Sequence, residues 1–175
     1  DHPAFHLLHW NRHVTNLPAK WHEANLRDLY RDNLLVVPAA LEADGTPIDL
    51  GLIETPVYIQ AGREDHIAPP QSVFKLLGHV AGPARFVLAG SGHIAGVVNP
   101  PAAQKYQYWT GSAEAATLDE FVAGAQEHPG SWWDDWLEWL TALAPQRVAA
   151  QGARKPASGD EDVIEPAPGR YVATR

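Results

Sequence analysis

Residues 55–96 read TPVYIQAGREDHIAPPQSVFKLLGHVAGPARFVLAGSGHIAG, and the fold turns on how this stretch divides. Thr55 to Gly62 is an apolar run with β-branched residues that ends in glycine, which predicts a buried strand. Gln71 to Leu77 is short and amphipathic and is closed by Gly78, which predicts a helix. Arg85 to Ala89, followed by Gly90-Ser91-Gly92, predicts a second strand. Strand, loop, helix, strand, loop is the pattern of a parallel sheet in an α/β fold. In such sheets the functional residues stand in the loops beyond the carboxyl ends of the strands.

Outward from this stretch the signals are simpler. Residues 35–50 read as two short strands around the hairpin signal Asp44-Gly45. Trp21, Leu26, Leu29 and Tyr30 recur at helical spacing, with Asn16-Leu17-Pro18 as the turn before them. Residues 112–144 read as helical. Ser131 and Asp134 have the spacing of a capping box, and Trp133, Trp136, Leu137 and Leu140 form a stripe expected to dock on the core. From Pro145 the chain is Ala, Gly, Pro and charge, which predicts a flexible tail over 145–175.

Composition sets further limits. The chain has 175 residues, enough for one ordinary domain, and is 45% hydrophobic. Thirteen basic and 21 acidic residues give a net charge of −8, which argues against binding nucleic acid through its phosphates. With no cysteine there is no disulfide frame, no thiolate metal site and no cysteine nucleophile. With no methionine, Asp1 is not expected to be a translational start, so a processed chain or part of a longer one is expected. No apolar run approaches the length of a membrane span and no leader pattern is seen, so neither is expected.

Two polar clusters follow the two predicted strands, Arg63-Glu64-Asp65-His66 and Gly90-Ser91-Gly92-His93. A carboxylate after one strand and a histidine after the next is the acid–base half of a hydrolase-type triad. The imidazole takes a proton from the nucleophile, and the carboxylate on its other nitrogen fixes the tautomer and stabilises the imidazolium. Asp65 and His93 are the candidate catalytic residues; Glu64 and His66 are weaker ones. The alternative is that Asp65 caps the following helix and His93 is an ordinary loop histidine. The nucleophile is missing: Ser72, Ser91, Ser112, Ser131 and Ser158 all lack the Gly-x-Ser-x-Gly setting. His2, His6, His9 and His13 would share a helix face and raise a metal site as a rival idea. Pro3, the turn at Asn16-Leu17-Pro18 and the lack of cysteine weigh against it, so no metal site is expected.

Further motifs point to a family. Pro56-Val57-Tyr58-Ile59 leads to Arg63-Glu64-Asp65-His66-Ile67, and Phe86-Val87-Leu88 leads to SGHIAGVVNPP at 91–101. Together these closely resemble poly(3-hydroxyalkanoate) synthases, and SGHIAGVVNPP resembles their class I branch. The likeness extends to Phe5, Leu7-Leu8, Trp10-Asn11, Thr15-Asn16-Leu17-Pro18, Gly130-Ser131-Trp132-Trp133 and Glu165 to Val172. His13 departs from it, standing where the family usually has Asp; His6 and His9 also replace other residue types.

The resemblance implies the C-terminal part of an α/β-hydrolase fold, a parallel sheet with flanking helices, plus part of a cap region. Residues 1–50 would be partial cap and connecting hairpin, 51–144 the catalytic portion, and 145–175 the tail. It implies a Cys–Asp–His triad in which Asp65 and His93 match the aspartate and histidine, with the cysteine upstream of this chain. The implied reaction polymerises (R)-3-hydroxyacyl-CoA into polyester with release of CoA, with no cofactor beyond the CoA thioester substrate. A homodimer at the surface of cytoplasmic polyester granules is implied for the whole enzyme, while this chain alone is expected to be inactive. A related esterase or polyester depolymerase, and a non-catalytic interaction module, are the alternatives.

Overall fold

The computed structural model describes residues 16–148 together with Glu165 and Arg170. The chain divides into a larger compact unit, Asn25–Pro145, and a smaller one made of Asp1–Ala24 and Gln146–Arg175. In the smaller unit the described parts include α1 (Ala19–Ala24), none of whose residues is buried, and an ion pair in which Arg170 Nε meets Glu165 Oε2 at 2.8 Å. His2, His6, His9 and His13, and most of the expected tail, lie outside the described residues.

The larger unit begins with a π-helical segment, Asn25–Arg31, and a 3₁₀ turn, Leu34–Val36. The spacing predicts one regular helix here. Asn33, left-handed at φ 49°, ends the helical run instead. The hairpin forms as expected: β1 (Leu41–Ala43) and β2 (Thr46–Ile48) pair antiparallel with Ala43 opposite Thr46. Asp44 and Gly45 both have positive φ, 49° and 73°, which is what a two-residue hairpin turn demands.

The main sheet runs β3 (Val57–Gly62), β4 (Ala84–Ala89), β5 (Gln107–Thr110) and β6 (Gln126–Pro129), in that order. β3 and β4 are parallel, joined through α2 (Pro70–Phe74), which tightens into a 3₁₀ turn at Lys75–Gly78. The α/β class with flanking helices therefore holds, but the parallel sheet needs correcting: β4–β5 and β5–β6 are antiparallel. The reason lies in the connections. Parallel neighbours need a long crossover, and the chain from β4 to β5 contains a loop and one 3₁₀ turn rather than a covering helix. The stretch 112–144 is likewise not helical throughout, because β6 separates α3 (Leu118–Gly124) from α4 (Trp133–Leu143).

One face of the sheet carries the core. Phe86 and Leu88 of β4, Ile59 and Ala61 of β3 and Trp109 of β5 pack with Phe74 of α2 and Leu118 and Phe121 of α3. Phe86 meets Phe74 and Phe121 edge-on, each with ring centroids 4.9 Å apart. On the other face, Tyr58 of β3 and Arg85 of β4 meet α4. Tyr58 stacks on Trp132 at 6.0 Å and meets Trp139 edge-on at 5.3 Å. This corrects the expected docking stripe: three of its four residues, Trp136, Leu137 and Leu140, are exposed, and the attachment is made by Trp132, just before α4, with Asp135 and Trp139 of α4.

Candidate active site

The two predicted clusters come together at the carboxyl ends of the parallel pair, β3 and β4. Backbone bonds lock the two loops to each other. Arg63 N donates to Ala89 O at 2.8 Å, and Glu64 N donates to Ser91 O at 3.1 Å. Asp65 is 7% exposed. One carboxylate oxygen, Oδ1, accepts from Ile67 N at 2.9 Å and Ala68 N at 2.8 Å, and so builds the local turn. The other, Oδ2, meets His93 Nδ1 at 2.8 Å. Asp65 is thus a turn-former and an orienter at once. It does not cap α2, whose N-cap position is Pro69.

The Ala68 N–H, with His93 and the Ile67 N–H, holds the Asp65 carboxyl below its ordinary value, against the opposing effect of burial. An ionised Asp65 requires the proton on Nδ1 of the neutral imidazole, which leaves Nε2 as the acceptor nitrogen. The His93 side chain is 45% exposed, so the ring is open to a reactant. Glu64 and His66, the weaker candidates, are exposed and stand outside this pair.

The loop turns without a left-handed glycine. The left-handed residue is Ser91, at φ 94°, and not either flanking glycine. Gly96 is required for space: a Cβ there would lie 2.7 Å from Gly92 O. Ser91 lies within the histidine's own loop, as a small loop residue would.

Sequence reasoning missed the part played here by Trp132 and Trp133. Their indole nitrogens donate to Gly96 O and Val97 O, each at 2.9 Å. The available signal was the Trp pair directly after Gly130-Ser131, which enters the sequence reading through the docking helix and the family likeness but not as a partner of the histidine loop. Arg63, two residues before Asp65, lies with its guanidinium 4.6 Å from the Trp109 ring centroid. In the two loops that carry the pair, Ile67, Ile94 and Val98 expose apolar side chains. Among the described residues no three His, Asp or Glu side chains are grouped to hold a metal ion, and no helix is long and apolar enough to cross a membrane.

No protein-family model matches the chain. Curated relatives do, along essentially all of it. It is 45% identical over 171 residues to poly(3-hydroxyalkanoate) polymerase subunit PhaC of Cupriavidus necator, covering 98% of this chain and 29% of that protein. The PhaC subunit of Rhizobium meliloti is 45% identical over 175 residues, 100% of this chain and 28% of its own length. Poly(3-hydroxyalkanoate) polymerase 2 of Ectopseudomonas oleovorans is 41% identical over 177 residues, 99% of this chain and 30% of its own length. The chain therefore spans less than a third of the length of these relatives.

Proposed function

We propose, for a chain that belongs to the poly(3-hydroxyalkanoate) polymerase family, that Asp65 and His93 are the acid–base half of the catalytic centre and that the rest of the polymerase brings a cysteine nucleophile. The observation that carries this reading is the 2.8 Å contact between His93 Nδ1 and a buried Asp65 at the ends of two parallel strands. His93 Nε2 takes the proton of the thiol, and the thiolate attacks the thioester carbonyl of an (R)-3-hydroxyacyl-CoA. The C–S bond to CoA breaks, and CoA leaves as its thiol with that proton. A 3-hydroxyl group then attacks the acyl-enzyme thioester while His93 takes its proton. The enzyme thiol is released and the polyester is one unit longer. Asp65 orients the ring and offsets the charge of the imidazolium in both steps. The exposed Ile67, Ile94 and Val98 suit an acyl substrate with an apolar body.

The scheme calls on no resident cofactor, since CoA enters with the substrate and leaves as product. The proposal includes a homodimer acting in the cytoplasm at the surface of polymer granules. It also keeps the division into partial cap and hairpin (1–50), catalytic portion (51–144) and tail (145–175). A related esterase or depolymerase would use the same pair with water as acceptor; the names carried by the relatives favour polymer formation. A non-catalytic module would have no use for a carboxylate and an open imidazole held in this register.

The test is His93→Ala in the whole polymerase, with release of CoA from 3-hydroxybutyryl-CoA and polymer yield as readouts. Both are expected to vanish, and near-normal turnover would remove His93 from the mechanism. The 175-residue chain by itself, which contains no cysteine, is expected to release no CoA.

A further inference from the structure

The loop from Gly92 to Asn99 carries His93, and packing does little to hold it. Ile94 is 70% exposed and Val98 61%. Internal bonds use its N–H groups: Gly96 N donates to Gly92 O at 2.8 Å, and Val98 N donates to Ile94 O at 2.8 Å. The carbonyls of Gly96 and Val97 point to partners outside the loop, the indole N–H groups of Trp132 and Trp133 at 2.9 Å each. Two consecutive carbonyls are thus held by two consecutive side chains. We propose that Trp132 and Trp133 are positioning residues that set His93 on Asp65, an inference that rests on the catalytic reading of that pair.

Three observations carry it. His93 makes one side-chain polar contact among the described residues, the one to Asp65, so the placement of its ring depends on the backbone beneath it. The far end of the loop is fixed by buried Asn99, whose Nδ2 donates to Lys105 O at 3.0 Å, and among the described residues only the indoles hydrogen-bond to the middle of the loop from outside. The indoles are themselves referenced to the other half of the pair. Trp132 stacks on Tyr58, and Tyr58 donates to Asp135 of α4 at 2.8 Å. Tyr58 belongs to β3, the strand that runs directly into the Asp65 loop. The first turns of α4 therefore join the strand that delivers Asp65 to the loop that delivers His93. Indoles that served only as packing would have no need to aim both N–H groups at that loop.

The experiment uses the whole polymerase with Trp132→Phe, Trp133→Phe and the double variant, which keep a ring and delete the donor. CoA release from 3-hydroxybutyryl-CoA gives kcat and KM. Each single variant is expected to lose about 10-fold in kcat and the double about 100-fold, with KM changed less than about twofold, as for a misplaced catalytic group. Trp139→Phe, on the same helix and against the same Tyr58 but with no bond to the loop, is expected to lose comparable thermal stability at near-normal kcat. In an Asp65→Asn background the double Trp variant is expected to add less than about threefold, because alignment to a carboxylate matters little once it is gone. Wild-type kcat in the double variant, or the same loss in both backgrounds, would overturn the proposal. His93→Ala separates the two readings: activity there removes the catalytic assignment, whereas loss there with unimpaired Trp variants removes only the positioning.

Discussion

Tyr58 and Arg85 are register partners on neighbouring parallel strands, and both donate to the carboxylate of Asp135. The Tyr58 hydroxyl and Arg85 Nε each lie 2.8 Å from Oδ2, and a second guanidinium nitrogen binds Oδ1. Burial, reinforced by the bond to Asp135, pushes the Tyr58 hydroxyl far above its ordinary range, so it remains a donor. Asp135→Ala is expected to lower stability by about 2 kcal/mol, mostly from the stranded Tyr58 hydroxyl and lost fastening of α4. The Arg85 share is small because its side chain is 42% exposed. Denaturant unfolding measures the difference, and an unchanged midpoint would contradict it.

Asp65→Asn is expected to reduce turnover of the polymerase by roughly 10³- to 10⁴-fold while leaving the fold in place. An amide oxygen can still accept from Ile67 and Ala68, which preserves the turn. Its NH₂ then faces His93 Nδ1 and imposes the tautomer with the proton on Nε2, which cannot act as a base. Thermal unfolding alongside kcat separates the two effects. A variant that unfolds early and turns over normally when folded would reverse the assignment.

Acidification gives a third expectation. The Asp65 carboxyl is held below its ordinary value of 3.8. Its ionised form therefore stabilises the fold at pH above that value, and the contribution is lost as pH falls through the lowered one. A carbon NMR titration is expected to place the Asp65 midpoint below 3.8. A midpoint at or above that value would mean that the Ala68, His93 and Ile67 contacts do not hold the charge.

Thr117→Ala is expected to cost about 1 kcal/mol. Thr117 Oγ1 accepts from Glu120 N at 3.1 Å, and the Glu120 carboxylate reaches back to Ala116 N at 2.9 Å. The two-way cap starts α3, whose Phe121 is buried against Phe86. Equal stability of Thr117→Ala and the unchanged protein would show that the helix start is held by packing alone.

That cap also shows how far the sequence could be read. Thr117 and Glu120 have the capping spacing, yet Ser131 and Asp134 have it too. At Ser131 the hydroxyl accepts from Trp133 N at 3.1 Å, one residue short of the box. Spacing alone does not distinguish them; the neighbouring fold does. Asp65 and His93 were legible because each follows a glycine-bounded apolar run, and strands with both faces covered announce themselves locally. β5 and β6 were not, since Gln107–Thr110 and Gln126–Pro129 are four residues each and owe their form to pairing with distant chain. Periodicity predicted which residues of α4 share a face, but it chose the wrong face. Hydropathy favoured Leu137 and Leu140, whereas the half-buried attachment is aromatic and ionic, through Trp132, Asp135 and Trp139.

The Trp cluster at α4 has an optical consequence. Trp132 and Trp133 lie 6.4 Å apart, with Trp136 6.0 Å from Trp132, so their excited states exchange energy and respond to one local environment. Indole emission is sensitive to the hydrogen bond at Nε1, and two of these nitrogens are bonded to the histidine loop. Two of the chain's seven tryptophans are thus bonded to the loop that carries His93, and a change in that loop is expected to alter their share of the intrinsic emission without an added label.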